Sequence, residues 1–218
     1  MANTYQVIDE STWKRAMHCM IFRDSVEPAF CVTFEADITK FLKKVQEQEF
    51  SFTIAMVYAV CRCANEIEEF RYRFVDGKVV LFDRIDTAFT YLNPETELFK
   101  VVNVPIQDSM EEYVEVATKM AKEQQEYFTG PLGNDVFQCS PMPWVSYTHI
   151  SHTNSGKKEN ATPLFDWGKY FERDGRVFMP VSVQAHHSFV DGLHVGRFVE
   201  QLQKFLDEYG AKGNGEEI

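Results

Sequence analysis

Two adjacent histidines, His186 and His187, precede Asp191 in the string Val181-Ser-Val-Gln-Ala-His186-His187-Ser-Phe-Val-Asp191-Gly192. An unperturbed imidazole titrates at about 6.5, close to physiological pH. Partial burial disfavours its charged form and leaves the ring ready to accept a proton. The chemistry these residues suggest is therefore general-base removal of a proton. Spacing alone leaves a second reading open, in which both histidines are satisfied core or rim residues and Asp191 is only a helix cap. His149 and His152 form the other close imidazole pair, but polar histidines on a loop or strand end are more often solvated than metal-bound. No metal site is assigned.

The elements around the string decide how it is presented. Val177, Met179, Val181, Val183 and Ala185 alternate with Phe178, Pro180, Ser182 and Gln184, the period of a strand with one buried face. If that pleat continues, His187 follows Ala185 on the apolar face and His186 sits with Ser182 and Gln184. Beyond the string, Val195, Phe198, Val199, Leu202, Phe205, Leu206 and Tyr209 recur at helical spacing. Asp191 then falls where a carboxylate can cap the first free N–H groups of that helix. Upstream, the pattern predicts a short helix over Trp13 to Met17, a strand over Pro28 to Glu35 and a helix from Asp37 with Ile38, Phe41, Leu42 and Val45 as its apolar stripe. A buried helix follows over Phe52 to Ile67. Short strands are expected over Tyr72 to Val75, Lys78 to Asp83, Thr87 to Leu92 and Leu98 to Val101, with Asp76-Gly77 as a hairpin turn. An amphipathic helix over Ser109 to Phe128 and strands over Trp144 to Ile150 and Leu164 to Phe171 complete the reading. It amounts to one α+β domain over residues 1–218, a two-layer sandwich of a mixed sheet with helices mainly on one face.

The bulk properties narrow the partners. The chain has 218 residues, 22 basic and 33 acidic, for a net charge of −11. Phosphate repulsion opposes nucleic acid as a partner, and an anionic membrane surface is disfavoured on the same ground. No charged-then-apolar N-terminal segment and no run of membrane-spanning length occur. The five cysteines, Cys19, Cys31, Cys61, Cys63 and Cys139, are scattered and odd in number, as expected of reduced cytoplasmic thiols. Cys61-x-Cys63 lacks a second ligand pair, so zinc is not expected. Neither a dinucleotide nor a phosphate-binding glycine motif is present, nor a G-x-S-x-G elbow.

The string His186-His187-x-x-x-Asp191-Gly192 resembles the signature of the chloramphenicol acetyltransferase family and its acyltransferase relatives. Trp13-Lys-Arg-Ala-Met-His18, Asp37-Ile38-Thr39, Asp76-Gly77, Glu95-Thr96-Glu97 with Phe99, Pro143-Trp144-Val145 and Gly168-Lys169-Tyr170 are similar to further stretches of that family, over roughly residues 5–208. The resemblance implies a homotrimer with active sites at subunit interfaces, acetyl-CoA as cosubstrate, and a role in antibiotic resistance. It implies that His187 is the catalytic base and that Ser140, four residues before Trp144, donates a hydrogen bond to the tetrahedral oxyanion. It also implies that Asp191 pairs with Arg15 to hold the junction in shape, and that Trp144, Lys169 and Tyr170 serve the coenzyme. The acceptor pocket falls on Phe22, Phe99, Val101, Ile150, His152, Asn154, Leu164 and Asp166.

The chain also departs from the family pattern. Asp166 replaces a threonine that holds a water near the tetrahedral intermediate, and a carboxylate there raises the barrier unless it is protonated, paired or turned away. His152 and Asn154 stand where the family is apolar, and Phe22 where it commonly has tyrosine. Ser51 and Thr53 replace a lysine and a tyrosine near the coenzyme. The expected activity is acetyl transfer to a hydroxyl of chloramphenicol or of a more polar small molecule. The alternatives are transfer to a thiol or amine, and a catalytically silent trimeric binding protein of the same fold.

Overall fold

A computed structural model describes residues 3–129, 133–152 and 159–210. In chain order the elements are β1 (Tyr5–Val7), α1 (Ala16–Arg23), β2 (Ala29–Asp37), α2 (Thr39–Glu47), α3 (Phe52–Asn65), β3 (Tyr72–Val75), β4 (Lys78–Phe82), β5 (Asp86–Asn93), β6 (Leu98–Val104), α4 (Met110–Glu123), β7 (Val136–Cys139), β8 (Leu164–Trp167), β9 (Phe171–Arg173), β10 (Arg176–His186) and α5 (Gly192–Glu208). The larger sheet runs β2-β10-β8-β7-β5-β6, with β9 paired to β10, and a smaller sheet runs β1-β4-β3. β7 is parallel to both β5 and β8, while the β10 pairings are antiparallel, so the sheet is mixed as expected.

Period two governs β10. Val181, Val183 and Ala185 are buried against the helical layer, and Ser182 and Gln184 occupy the opposite face. β2 pairs with it from Asp37↔Phe178 to Ala29↔His186, which fixes the position of the histidine string. On the helical side α3 is buried from Ile54 to Cys61, and α5 turns Val195, Phe198, Leu202 and Leu206 inward. The Phe198 ring lies 5.2 Å from Phe165 and 6.3 Å from Phe34, joining α5 to β8 and β2. Asp76 and Gly77 have φ of 48° and 75°, the left-handed pair that closes the β3–β4 hairpin.

One buried arginine ties the two sheets together. The Arg73 guanidinium, on β3, donates to the carbonyls of Phe70, Tyr72, Asn134 and Val136 at 2.7–3.2 Å. Burial pulls its pKa down to about 9, and the four carbonyls take the place of water. The start of β7 is thereby anchored.

The elements differ from expectation in several places, including β1, the smaller sheet and a break after Trp167 in the strand expected over Leu164 to Phe171. Residues 10–15 form turns, and the first helix begins at Ala16, carrying Phe22 within it. The helix predicted to reach Phe128 ends at Glu123, because the next stretch is extended and Val101 N–H donates to the Tyr127 carbonyl. Residues 144–150 form no strand; just before them Met142 makes an isolated bridge to Gly168, flanked by Pro141 and Pro143, which cannot donate to a ladder. The pairing expected there is supplied by β7, a four-residue run too short to stand out by period.

Candidate active site

The first half of the site is the turn between β10 and α5. His187 N–H donates to the Pro28 carbonyl at 2.8 Å, which sets the backbone just past the strand. Its ring stacks on Phe22, with centroids 4.0 Å apart and planes 4° from parallel, and leans on Phe30 at 4.7 Å. Nδ1 is buried, makes no hydrogen bond, and lies 3.4 Å from Asp191 Oδ1. The side chain is 36% exposed, so the accessible edge is the one carrying Nε2. Aromatic walls and a single open nitrogen suit a ring that accepts a proton from outside.

Asp191 occupies the N-cap position of α5, as its place in the string suggested. Both carboxylate oxygens take bonds from Arg15, Nη1 at 2.7 Å and Nη2 at 3.0 Å, and Arg15 Nε reaches the Ser188 carbonyl at 3.4 Å. The Arg15 hydrogen bonds hold the Asp191 carboxyl below the usual carboxylate range. The Asp191 N–H donates to His194 Nδ1 at 2.9 Å, and His194 Nε2 stands 3.3 Å from Glu69 Oε1. Burial lowers the His194 pKa, consistent with a neutral ring whose Nδ1 accepts. His194 and Glu69 escaped the sequence reading. The available signal was the third helical position after a cap, where a side chain folds back onto the cap's N–H.

The second half lies across the sheet. Asp166 on β8 is opposite Ser182 on β10, which is opposite Thr33 on β2, and the Thr33 and Ser182 hydroxyls are 2.7 Å apart. Ser140 follows β7 directly, level with Asp166, and donates its N–H to the Phe165 carbonyl at 3.0 Å. On the far side Thr90 is opposite Val101 in the next step of the same row. The row faces away from the helices, because the residues adjacent to it on each strand, Val183, Phe165, Cys139, Phe89 and Val102, all point into the core. His152, from the segment over this face, places Nε2 2.7 Å from Asp166 Oδ2. Asp166 is therefore paired. Burial still outweighs the histidine and raises the Asp166 pKa, while the hydrogen bond to Asp166 raises that of His152.

The expected acceptor residues divide between the halves. Phe22 lies on His187; Val101 and Asp166 lie in the Ser140 row, with His152 bonded to Asp166 and Leu164 two residues back on β8. Phe99 is exposed near the end of β6 with its ring 6.0 Å from Phe128, and Ile150 is half-buried. Asn154 lies outside the described residues.

The residues expected on the coenzyme side do gather. Met142 N–H donates to the Trp167 carbonyl at 2.8 Å and Lys169 N–H to the Val145 carbonyl at 2.9 Å, so the segment carrying Trp144 runs beside Lys169 and Tyr170. Gly168 makes that approach possible: a Cβ there would meet the Val145 carbonyl oxygen at 2.6 Å. Trp144, Lys169 and Tyr170 are all exposed, and Tyr170 meets Phe52 edge-on at 6.2 Å, which brings Ser51 and Thr53 at the start of α3 to the same place.

The chain does not bring His187 and Ser140 together. Ser140 is level with Ser182 two strands away, and His187 lies five residues further along β10. At about 4.8 Å per strand and 3.3 Å per residue, the separation is on the order of 20 Å.

Comparison with known proteins agrees with the motif. The sequence profile described as "Chloramphenicol acetyltransferase" matches residues 3–203. Chloramphenicol acetyltransferase 2 of Haemophilus influenzae is 31% identical over 204 residues, covering 92% of this chain and 96% of its own. A chloramphenicol acetyltransferase of Klebsiella sp is 30% identical over 208 residues, covering 94% and 95%. A solved chloramphenicol acetyltransferase superposes with a TM-score of 0.86 at 29% identity, over 93% of this chain and all of that one. A probable dihydrolipoamide acetyltransferase from Listeria monocytogenes shares the fold, with a TM-score of 0.65 at 14% identity over 92% of each chain.

Proposed function

The chain belongs to the chloramphenicol acetyltransferase family, and on that premise we propose that it moves an acetyl group from acetyl-CoA to a hydroxyl of a small molecule, chloramphenicol or a more polar acceptor. His187 takes the hydroxyl proton at Nε2, and the oxygen attacks the thioester carbonyl. Ser140 donates a hydrogen bond to the tetrahedral oxyanion. The intermediate then collapses, the C–S bond breaks, and the proton passes from His187 to the departing thiolate. The observation that carries this reading is the His187 environment: an aromatic clamp, a buried Nδ1 and a single open nitrogen. Arg15 and Asp191 support the turn by geometry, since both Asp191 oxygens are already engaged. Trp144, Lys169 and Tyr170 form the coenzyme surface.

The distance between His187 and Ser140 supports an active site completed by a second copy, with His187 from one chain and Ser140 from the next. Two exposed apolar surfaces favour such an association. Met17, Met20 and Ile21 on α1, with Leu193 at the start of α5, flank the His187 half; Met142, Trp144, Val145 and Tyr170 flank the Ser140 half. A contact between unlike surfaces closes into a ring, and the family's ring is a trimer. No helix among the described residues is long and apolar enough to cross a membrane. The reading is tested by following thiol release from acetyl-CoA with chloramphenicol. Turnover is expected in the native chain and at least about 10³-fold less in His187→Ala. Undiminished turnover in that variant refutes the assignment.

A further inference from the structure

One buried ionisable pair has no part in the chemistry above. Asp166 has no exposed surface, its Oδ2 meets His152, and its Oδ1 is buried with no hydrogen-bond partner in the protein. A single imidazole does not repay taking a carboxylate out of water, so stability does not account for the pair. Buried charged groups of this sort mark function when they border a cleft.

His152 borders one. Its side chain is 21% exposed and lines a cavity of about 270 Å³ together with His149, Ser151, Asn160, Thr162 and Gln184. With Nε2 committed to Asp166, the His152 Nδ1 is the ring atom left to meet a ligand. Serine, threonine, asparagine and glutamine side chains all both donate and accept. Phe30 is the cavity's one phenyl ring among the lining residues. Ligand cavities are usually lined mainly by apolar and aromatic groups, and this one is not. A flat aryl ring would leave its polar groups unpaired, and sites built to hydrogen-bond reject analogues that cannot reply.

We infer that the acceptor is a hydroxyl-rich molecule of the sugar or polyol class, with one hydroxyl bound at the His152–Asp166 pair and another receiving the acetyl group. This rests on the acetyl transfer proposed above and adds the chemical class of the acceptor. The reacting hydroxyl gives its proton to His187 of a neighbouring copy and forms the ester bond to the acetyl carbon. Coenzyme A leaves with that proton on its sulfur. A hydroxyl suits the pair whatever its protonation, because it accepts from an imidazole N–H and donates to a bare nitrogen.

Methyl α-glucoside, N-acetylglucosamine and myo-inositol serve as probes against chloramphenicol, each followed by thiol release and by calorimetric titration of the full chain. At least one polyol is expected to show kcat/KM tenfold or more above that of chloramphenicol. The double variant His152→Leu with Asp166→Thr removes both charges together and is expected to reverse the ranking. His152→Gln keeps a hydrogen-bonding group at the cavity and is expected to preserve the polyol preference, which separates recognition from misfolding. A native preference for chloramphenicol, or a ranking unmoved by the double variant, overturns the inference. Absence of turnover with every acceptor defeats the acetyl-transfer reading instead. Calorimetry then decides this one: polyol binding lost in the double variant upholds it, and no polyol binding overturns it.

Discussion

At the scale of single residues, the histidine proposed to react is set apart from the groups that hold its turn. His187 keeps one nitrogen open and is walled by Phe22 and Phe30, whereas Asp191 spends its carboxylate on Arg15. Arg15 is almost wholly buried, but Asp191 is 32% exposed, so the pair falls between exposed bridges and fully buried ones. Asp191→Asn is expected to cost about 2 kcal/mol at neutral pH. Because Arg15 holds the folded carboxyl below its unfolded value of about 3.9, the unfolded chain binds the extra proton first as pH falls. The contribution is complete above about pH 4 and disappears as pH drops through the folded value. Urea titrations at several pH values should therefore show native and Asp191→Asn proteins differing at pH 7 and converging in acid. A gap that persists in strong acid would mean that the aspartate stabilises by something other than its charge.

At the scale of elements, Gly168 controls how close two segments come. Adding a methyl group at Gly168→Ala pushes on the Val145 carbonyl, the Pro180 ring and the Tyr147 ring, at 2.6, 2.9 and 3.0 Å. Overpacking of this kind costs about 1–3 kcal/mol. The segment bearing Trp144 is expected to move off Lys169, raising the KM for acetyl-CoA more than it lowers kcat; steady-state kinetics with a thermal melt would measure both, and an unchanged KM would detach Trp144 from the coenzyme. Most elements were legible in the sequence because each carries its own period: β10 alternates, α5 repeats at helical spacing, and Asp76-Gly77 announces its hairpin. The errors share one cause. Residues 144–150 are rich in aromatic and β-branched residues but are held to the β8–β9 connection by the Lys169 N–H to Val145 carbonyl bond rather than by a ladder, and β7 is a strand because Arg73 and its neighbours anchor it, not because four residues declare it. Asp166 was visible as an anomaly, yet its partner was not. His152 is fourteen residues away in the sequence, and no periodicity links the two.

At the scale of the whole molecule, the two halves of the site lie too far apart to work within one chain, although the string carrying His187 and the serine before Trp144 read as a single machine in the sequence. Spacing along a chain reports which residues recur, not which copy supplies them. Mixed oligomers separate the two cases. His187→Ala lacks the base, and Ser140→Ala loses about 10²–10³ in rate by losing its oxyanion donor. If each site draws His187 from one copy and Ser140 from the next, equal random mixing gives an intact pair wherever a Ser140→Ala chain supplies the histidine and a His187→Ala chain supplies the serine. Each condition holds half the time, so activity should return to about one quarter of native. Co-expression without selection would measure that recovery, and tandem purification through two different tags, which removes unmixed rings, should raise it to about one third in a trimer. Chains that carry both residues within one site would recover nothing, whatever the ratio. Recovery would show that each site draws its histidine and its serine from different copies.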